Sequence, residues 1–170
     1  MASLVEELVS ILTDEKQLYM TLVEYGDEKR RILINGYVPA LEELTVKEQK
    51  VSDELVNLGK KQVATLNDIA TVLGKEGTKL TVTNLIDALG NQPDVQKQLI
   101  EARDTLLEAA EQMQKINSQN EVLIKQAIEL TEFDITLFKS MRQAPETANY
   151  NKSAYNTGSL LGSSGFDAKQ

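Results

Sequence analysis

The chain has 170 residues, a net charge of −8, and neither cysteine nor histidine. These absences exclude Cys/His zinc sites, thiol nucleophiles, Ser-His-Asp triads and a disulfide scaffold. The acidic balance disfavours nucleic acid as a partner, and no apolar run approaches the ~20 residues of a membrane span, so membrane insertion is not expected. Because the first residues also lack the basic region of a signal peptide, we expect a cytoplasmic protein.

The first predicted element is a helix over residues 3–35. Its apolar residues recur at alternating steps of four and three, with Glu15 and Lys29 as polar interruptions. Heptad spacing of this kind is typical of a helix that packs along other helices. The predicted seam consists of Leu4, Leu8, Ile11, Glu15, Leu18, Leu22, Tyr25, Lys29 and Ile32.

The next segment can be interpreted in two ways. Asn35-Gly36 between β-branched residues is a strong hairpin signal, but the same residues can end one helix before Pro39 begins another. Because heptads continue on both sides, and a strand has a period of two, we predict a helix stop and a second helix over 39–73. Its seam would comprise Leu41, Leu44, Glu48, Val51, Leu55, Leu58, Val63, Leu66, Ile69 and Leu73.

A short amphipathic helix is predicted over residues 82–89, with Thr81 or Thr83 as its N-cap. Pro93 then opens a long helix over 93–142, whose heptads run without a slip. Its seam contains Leu99, Ala102, Leu106, Ala109, Met113, Ile116, Asn120, Leu123, Ala127, Leu130, Asp134, Leu137 and Met141.

Short connections between long helices force antiparallel neighbours. We therefore predict an all-α protein: an antiparallel bundle or coiled coil of three long helices, with one short extra helix, over residues 1–142. Residues 143–170 have lost the heptads and are rich in Asn, Ser and Gly, so we expect a disordered tail.

The end of the long helix carries apolar groups beyond a narrow seam: Leu130, Phe133, Ile135, Leu137, Phe138 and Met141. If the long helix starts where the second ends, it overruns the turn at Gly36 by roughly ten residues or more. An uncovered patch of this kind marks a partner surface or a dimer contact. Alternatively, the short helix shifts the alignment and the bundle covers this end itself.

Two further features leave alternatives open. Asn120 falls in the apolar seam, with Asn117 one turn before it, and either fixes the register between helices or offers a hydrogen bond to a docked segment. The tail holds large apolar residues that either do nothing or fold onto a partner: Tyr150, Tyr155, Leu160, Leu161 and Phe166. Because no phosphate-binding loop and no buried acidic cluster is evident, we expect neither enzymatic activity nor a cofactor or metal.

Over essentially its full length, the chain resembles the FlgN family of flagellar type III export chaperones. The resemblance rests on the acidic first helix, on "ILINGYVPALEEL", on "LTVTNLIDAL", on "INSQNEVL" and on a late Tyr-Asn. It implies a non-enzymatic protein that holds the hook–filament junction proteins FlgK and FlgL in the cytoplasm. Such a chaperone covers the terminal amphipathic helices of these clients, prevents premature assembly, and delivers them to the export-gate component FlhA.

By position, the resemblance implies that the end of the long helix and the tail contact client. The residues concerned are Leu130, Phe133, Leu137, Phe138, Met141, Tyr155, Leu160, Leu161 and Phe166. Tyr150 is the first choice for the contact with the export gate, and Tyr155 the next. The free protein is expected to be a monomer or a homodimer. A structural coiled-coil oligomer or adaptor is the alternative, and a helical-bundle enzyme is a third possibility that the absence of His and Cys disfavours.

Overall fold

A computed structural model describes residues 2–143, which form four helices and no strand. In chain order these are α1 (Ala2–Asn35), α2 (Val38–Val72), α3 (Val82–Ala88) and α4 (Pro93–Gln143). The predicted all-α class is therefore confirmed. Of the predicted tail, residues 144–170 lie outside the described residues. The chain divides into two units between residues 124 and 125, and α4 continues across this division.

The connection between α1 and α2 is a tight turn that ends one helix and begins the next. Gly36 has a φ of +67°, a left-handed conformation that glycine adopts without strain, and its N–H donates to the carbonyl of Ile32 at 2.9 Å. Tyr37 follows, and Pro39 lies in the first turn of α2, where a missing N–H costs nothing. The hairpin interpretation is thus excluded and the helix stop is confirmed.

The apolar core of the first unit lies where the start of α1 meets the end of α2 and the start of α4. α1 contributes Val5, Leu8 and Leu12 to this cluster, which joins all four helices. The other members are Leu66, Ile69, Ala70, Leu80, Leu85, Ile86, Leu89, Leu99 and Ala102. Since early residues of α1 pack with late residues of α2 and early residues of α4, α1 runs antiparallel to α2 and parallel to α4.

One residue of the predicted α2 seam is wrong. Val63 is 58% exposed, whereas Thr65 and Leu66 are buried. At 3.6 residues per turn, the residue four positions after Leu58 faces the other helices, and this residue is Gln62 rather than Val63. Gln62 is indeed half-buried there.

The short helix is fixed at both ends by side-chain hydrogen bonds. The hydroxyl oxygen of Thr81 accepts from the N–H of Asn84 at 3.1 Å, so Thr81 is the N-cap of the two candidates. At the other end, the Gln96 Nε2 amide donates to the carbonyl of Ile86 at 2.9 Å. This contact ties the first turns of α4 to α3, whose Leu85 and Ile86 are buried in the core.

Candidate functional site

The last part of α4 presents an exposed apolar face. Every side chain from Lys125 to Arg142 is exposed, and Phe133, Phe138 and Met141 keep 63%, 61% and 67% of their surface in solvent. We call this surface the terminal face; it consists of Ile128, Leu130, Phe133, Ile135, Leu137, Phe138 and Met141. Because scattered apolar residues on a surface are ordinary but a contiguous group is not, the terminal face is the main candidate for a binding surface.

The terminal face continues a pattern that is buried earlier in the same helix. Leu99, Ala102 and Ala109 occupy the heptad positions of α4 in the first unit and are buried. The same positions at Leu130 and Leu137 are exposed. The described residues therefore do not support the alternative in which the bundle covers the end of α4. Ile128, 53% exposed, was not among the predicted site residues, although it lies two helical turns before Ile135 and could have been found from that spacing.

A cation lies on one edge of the terminal face. The Arg142 guanidinium is 5.4 Å from the centroid of the Phe138 ring, within the range of a cation–π interaction. Both side chains remain exposed. This contact orients the Phe138 ring without removing it from solvent.

The two predicted polar residues of α4 have different environments. Asn120 is buried, and its Nδ2 amide donates to the carbonyl of Gly26 in α1 at 2.8 Å. Its Oδ1 has no partner among the described residues. Asn117 is exposed, and its amide contacts the Met113 sulfur at 2.9 Å within α4. The structure therefore brings Asn120, but not Asn117, to the interface between α1 and α4.

Gly26, whose carbonyl accepts the hydrogen bond from Asn120, was not among the predicted site residues. A Cβ at Gly26 would lie closer than 3.0 Å to the Cγ2 methyl of Ile116, so α1 and α4 approach each other more closely here than any larger residue allows. A glycine inside a heptad pattern is the signal that could have indicated this approach.

One turn of α1 carries three polar contacts to its neighbours. Next to Gly26, Lys29 forms an ion pair with Glu48 of α2 at 2.6 Å, with both side chains mostly buried. Arg30 donates a hydrogen bond to the Gln119 Oε1 of α4. Polar contacts in an apolar seam favour one alignment of the helices over its neighbours. They lie at the opposite end of α1 from the apolar core.

Glu15 is a carboxyl group in the apolar seam of α1. It is 6% exposed, and burial raises its pKa because the charged form loses its hydration. No group of three or more metal-binding side chains exists among residues 2–143. Within that range, no helix has the length and apolarity needed to cross a membrane.

A second, smaller apolar group surrounds the α1–α2 turn. Ile34, Tyr37 and Val38 are each more than 60% exposed. Their position beside Gly36 is the sequence signal that could have singled them out. The predicted tail residues, Tyr150, Tyr155, Leu160, Leu161 and Phe166, lie outside the described residues.

Long heptad helices with an exposed apolar face are typical of the class of helical proteins that act by binding other proteins. The chain belongs to the FlgN family: the family model described as FlgN protein matches residues 1–158. Members of this family are flagellar export chaperones that bind flagellar proteins, so this chain has the general role of a flagellar export chaperone. The matched range includes Tyr150 and Tyr155. No curated protein and no solved structure matches the chain.

Proposed function

We propose that this protein is a cytoplasmic chaperone for the hook–filament junction proteins FlgK and FlgL. It covers their terminal amphipathic helices, prevents premature assembly, and delivers them to the export-gate component FlhA. The observation that carries this proposal is the terminal face, which presents two phenylalanines and aliphatic side chains to solvent on a protein of the FlgN family.

The terminal face suits a helix-binding role because its side chains follow heptad spacing. An amphipathic helix lays its apolar side chains between those of such a face, as one helix does against another in a bundle. Each large side chain that becomes fully buried contributes about 1.5–3 kcal/mol, part of which the cost of association offsets. The complex is therefore stable enough to hold a client and weak enough to release it.

In this proposal residues 1–142 form the bundle and residues 143–170 add a partner-binding tail. Tyr155, Leu160, Leu161 and Phe166 supply further apolar contacts to the client. Ordering such a segment costs entropy, which lowers the affinity and favours release. Tyr150 is assigned to the gate, with Tyr155 as the alternative.

The role of the terminal face is tested by a double substitution with a matched control on the same helix. Phe133→Ser/Phe138→Ser removes its two aromatic groups, whereas Leu107→Ser/Val122→Ser removes two aliphatic groups that are each 54% exposed in the first unit. Calorimetric titration of the full chain with purified FlgK or FlgL should show about a hundredfold weaker binding for the first variant only. Equal affinities of the two variants would contradict the proposal.

The role of the tail is tested by removing residues 143–170. Far-UV circular dichroism and the melting temperature should change little, while the affinity for FlgK and FlgL collapses. Retained binding by the shortened chain would remove the tail from the proposal. Tyr150→Ala and Tyr155→Ala in the full chain should separate gate from client, because the gate residue is needed for binding FlhA but not FlgK.

A structural coiled-coil oligomer is the second candidate, and the uninterrupted heptads from Leu99 to Met141 favour it. Sedimentation analysis of the purified chain distinguishes the two. An oligomer that persists on dilution and binds no client supports the spacer, whereas a client-binding species supports the chaperone.

A further inference from the structure

The turn between α1 and α2 contains the only Asn-Gly pair of the chain, Asn35-Gly36. Both residues are exposed, and a Cβ added at Gly36 would meet nothing within 4 Å. Asparagine is among the thermolabile residues of proteins, because the backbone nitrogen of the next residue can attack its side-chain amide. A following glycine hinders this attack least, since it has no side chain and the widest choice of backbone conformation. Asn35 is therefore the asparagine of this chain that is chemically most open to attack.

The folded turn restrains the nitrogen that must attack. The Gly36 N–H donates to the carbonyl of Ile32 at 2.9 Å, and Asn35 is the last residue of α1. The amide nitrogen becomes a nucleophile only after it loses its proton, and a proton held in a hydrogen bond is lost less readily. Helical backbone at Asn35 also fixes the position of this nitrogen relative to the side chain. The attack therefore requires the last turn of α1 to open.

This opening can occur without unfolding of the apolar core. All the residues that α1 contributes to that core lie in the first half of the helix. Among the described residues, Leu44 is the buried apolar residue nearest to the turn along the chain. The ion pair between Lys29 and Glu48 is the nearest salt bridge between α1 and α2. Helix ends with few buried apolar contacts open at a small cost in free energy, so we expect the turn to open far more often than the whole bundle unfolds.

We propose that Asn35 is a site of spontaneous deamidation and that opening of the α1–α2 turn sets the rate. The Gly36 nitrogen attacks the Asn35 Cγ and loses its proton, the new N–C bond closes a succinimide ring, and the side-chain nitrogen leaves as ammonia. Water then adds to either carbonyl carbon of the ring and a C–N bond of the ring breaks, which leaves aspartate or isoaspartate. The reaction consumes only water. This modification goes beyond the proposed function and does not depend on it.

Either product disturbs the turn. Both products place a negative charge at the C-terminal end of α1, where the helix dipole is already negative. In isoaspartate the backbone runs through the former side chain, which inserts one carbon before Gly36 and breaks the geometry of the α-helical hydrogen bond to Ile32. Because this hydrogen bond and the φ of +67° at Gly36 form the end of α1, the modified chain should melt about 2–4 °C lower.

The experiment compares the rate of deamidation in the folded and the unfolded full-length chain at one mildly alkaline pH. Peptide mapping by mass spectrometry identifies the modified asparagine and measures the rate in buffer, in sub-denaturing urea and in concentrated urea. We expect Asn35 to be modified first, about tenfold more slowly in the folded chain than in the unfolded chain, and faster as urea is added. Asn35→Gln is the control, since its longer side chain does not close the succinimide ring, and its melting temperature should stay constant during incubation.

A pair of matched variants tests whether opening sets the rate. Glu48→Gln weakens the ion pair with Lys29 and should accelerate the modification, whereas Glu54→Gln changes an exposed acid of the same helix and should not. Acceleration by both variants or by neither overturns the role of the turn.

The remaining outcomes also decide the proposal. Earlier modification at any other asparagine overturns the assignment of the site. Equal rates in the folded and unfolded chain overturn the role of the turn. A folded chain that stays unmodified while the unfolded chain converts completely overturns the proposal, because the turn then does not open.

Discussion

The substitution Gly26→Ala should destabilise the bundle, although the same change usually stabilises a helix. Gly26 lies inside α1, and the residue is needed for space rather than for its backbone conformation. An added Cβ would lie closer than 3.0 Å to the Ile116 Cγ2 methyl and 3.4 Å from the Ile116 Cβ. Because a β-branched side chain in a helix has one strongly preferred χ1 rotamer, Ile116 cannot turn away and the helices must separate.

Three contributions determine the size of the effect. Overpacking costs about 1–3 kcal/mol, and weakening the 2.8 Å hydrogen bond from Asn120 to the Gly26 carbonyl costs about 1 kcal/mol more. The higher helix propensity of alanine returns about 1 kcal/mol. The free energy of unfolding should therefore fall by about 1–3 kcal/mol, with a melting temperature lower by about 2–4 °C for each kcal/mol.

Urea unfolding followed by far-UV circular dichroism measures this change, and Gly59→Ala is the matched control. Gly59 also lies inside a helix, but a Cβ there would meet nothing within 4 Å, so this variant should be about 0.5–1 kcal/mol more stable than the natural chain. Ile116→Ala removes the Cγ2 methyl and should abolish most of the cost of Gly26→Ala. If Gly26→Ala stabilises the protein as much as Gly59→Ala does, the close approach of α1 and α4 does not exist.

Three further predictions concern a buried carboxyl, the buried amide and the end of α4. The raised pKa of Glu15 means that the native state binds a proton more tightly than the unfolded state, so stability should fall as pH rises above 4.5, the ordinary value. In urea unfolding across this pH range, the free energy of unfolding of the Glu15→Gln variant should not show that loss. The stability of the variant relative to the natural chain should therefore increase with pH. Asn120→Asp places a carboxylate against the Gly26 carbonyl and should cost about 3 kcal/mol at neutral pH, less in acid, whereas the exposed Asn117→Asp should cost little. By hydrogen exchange, backbone amides in residues 125–142 should exchange much faster than those in residues 99–120, because the side chains around them are exposed rather than packed in the apolar core. Equal protection of the two ranges would refute this prediction.

The parts of the fold that sequence predicts are those set by local rules. Gly36 and Pro39 fix the α1–α2 turn through backbone conformation alone, and heptad spacing selects helix over strand wherever it persists. Where spacing departs from the heptad, prediction fails, as at Val63, because the helix period rather than the apolar letter decides which residue faces the core. The Gly26 contact was not predictable, since it depends on how α1 and α4 pair.

The candidate site shows a different limit of sequence reasoning. Ala102 and Leu137 occupy the same position of one heptad series, yet Ala102 is buried and Leu137 is 47% exposed. Spacing states which side of a helix is apolar but not whether another helix is present to cover it. That depends on where α1 and α2 end relative to each other, a property of the whole chain. The large apolar residues from Ile128 to Met141, two phenylalanines among them, were the local clue.

The contrast along α4 also explains how one helix can serve both stability and binding. Its first part is held by the apolar core and by the Asn120 and Arg30 contacts to α1. The side chains of its last part, residues 125–142, are exposed, and an isolated helix of that length is marginal in water. The packed part removes the cost of nucleation, so the exposed part needs only to propagate an existing helix. In the proposed complex, a partner covers the terminal face with heptad contacts of the same kind as those that stabilise the bundle, and these contacts contribute the free energy of binding.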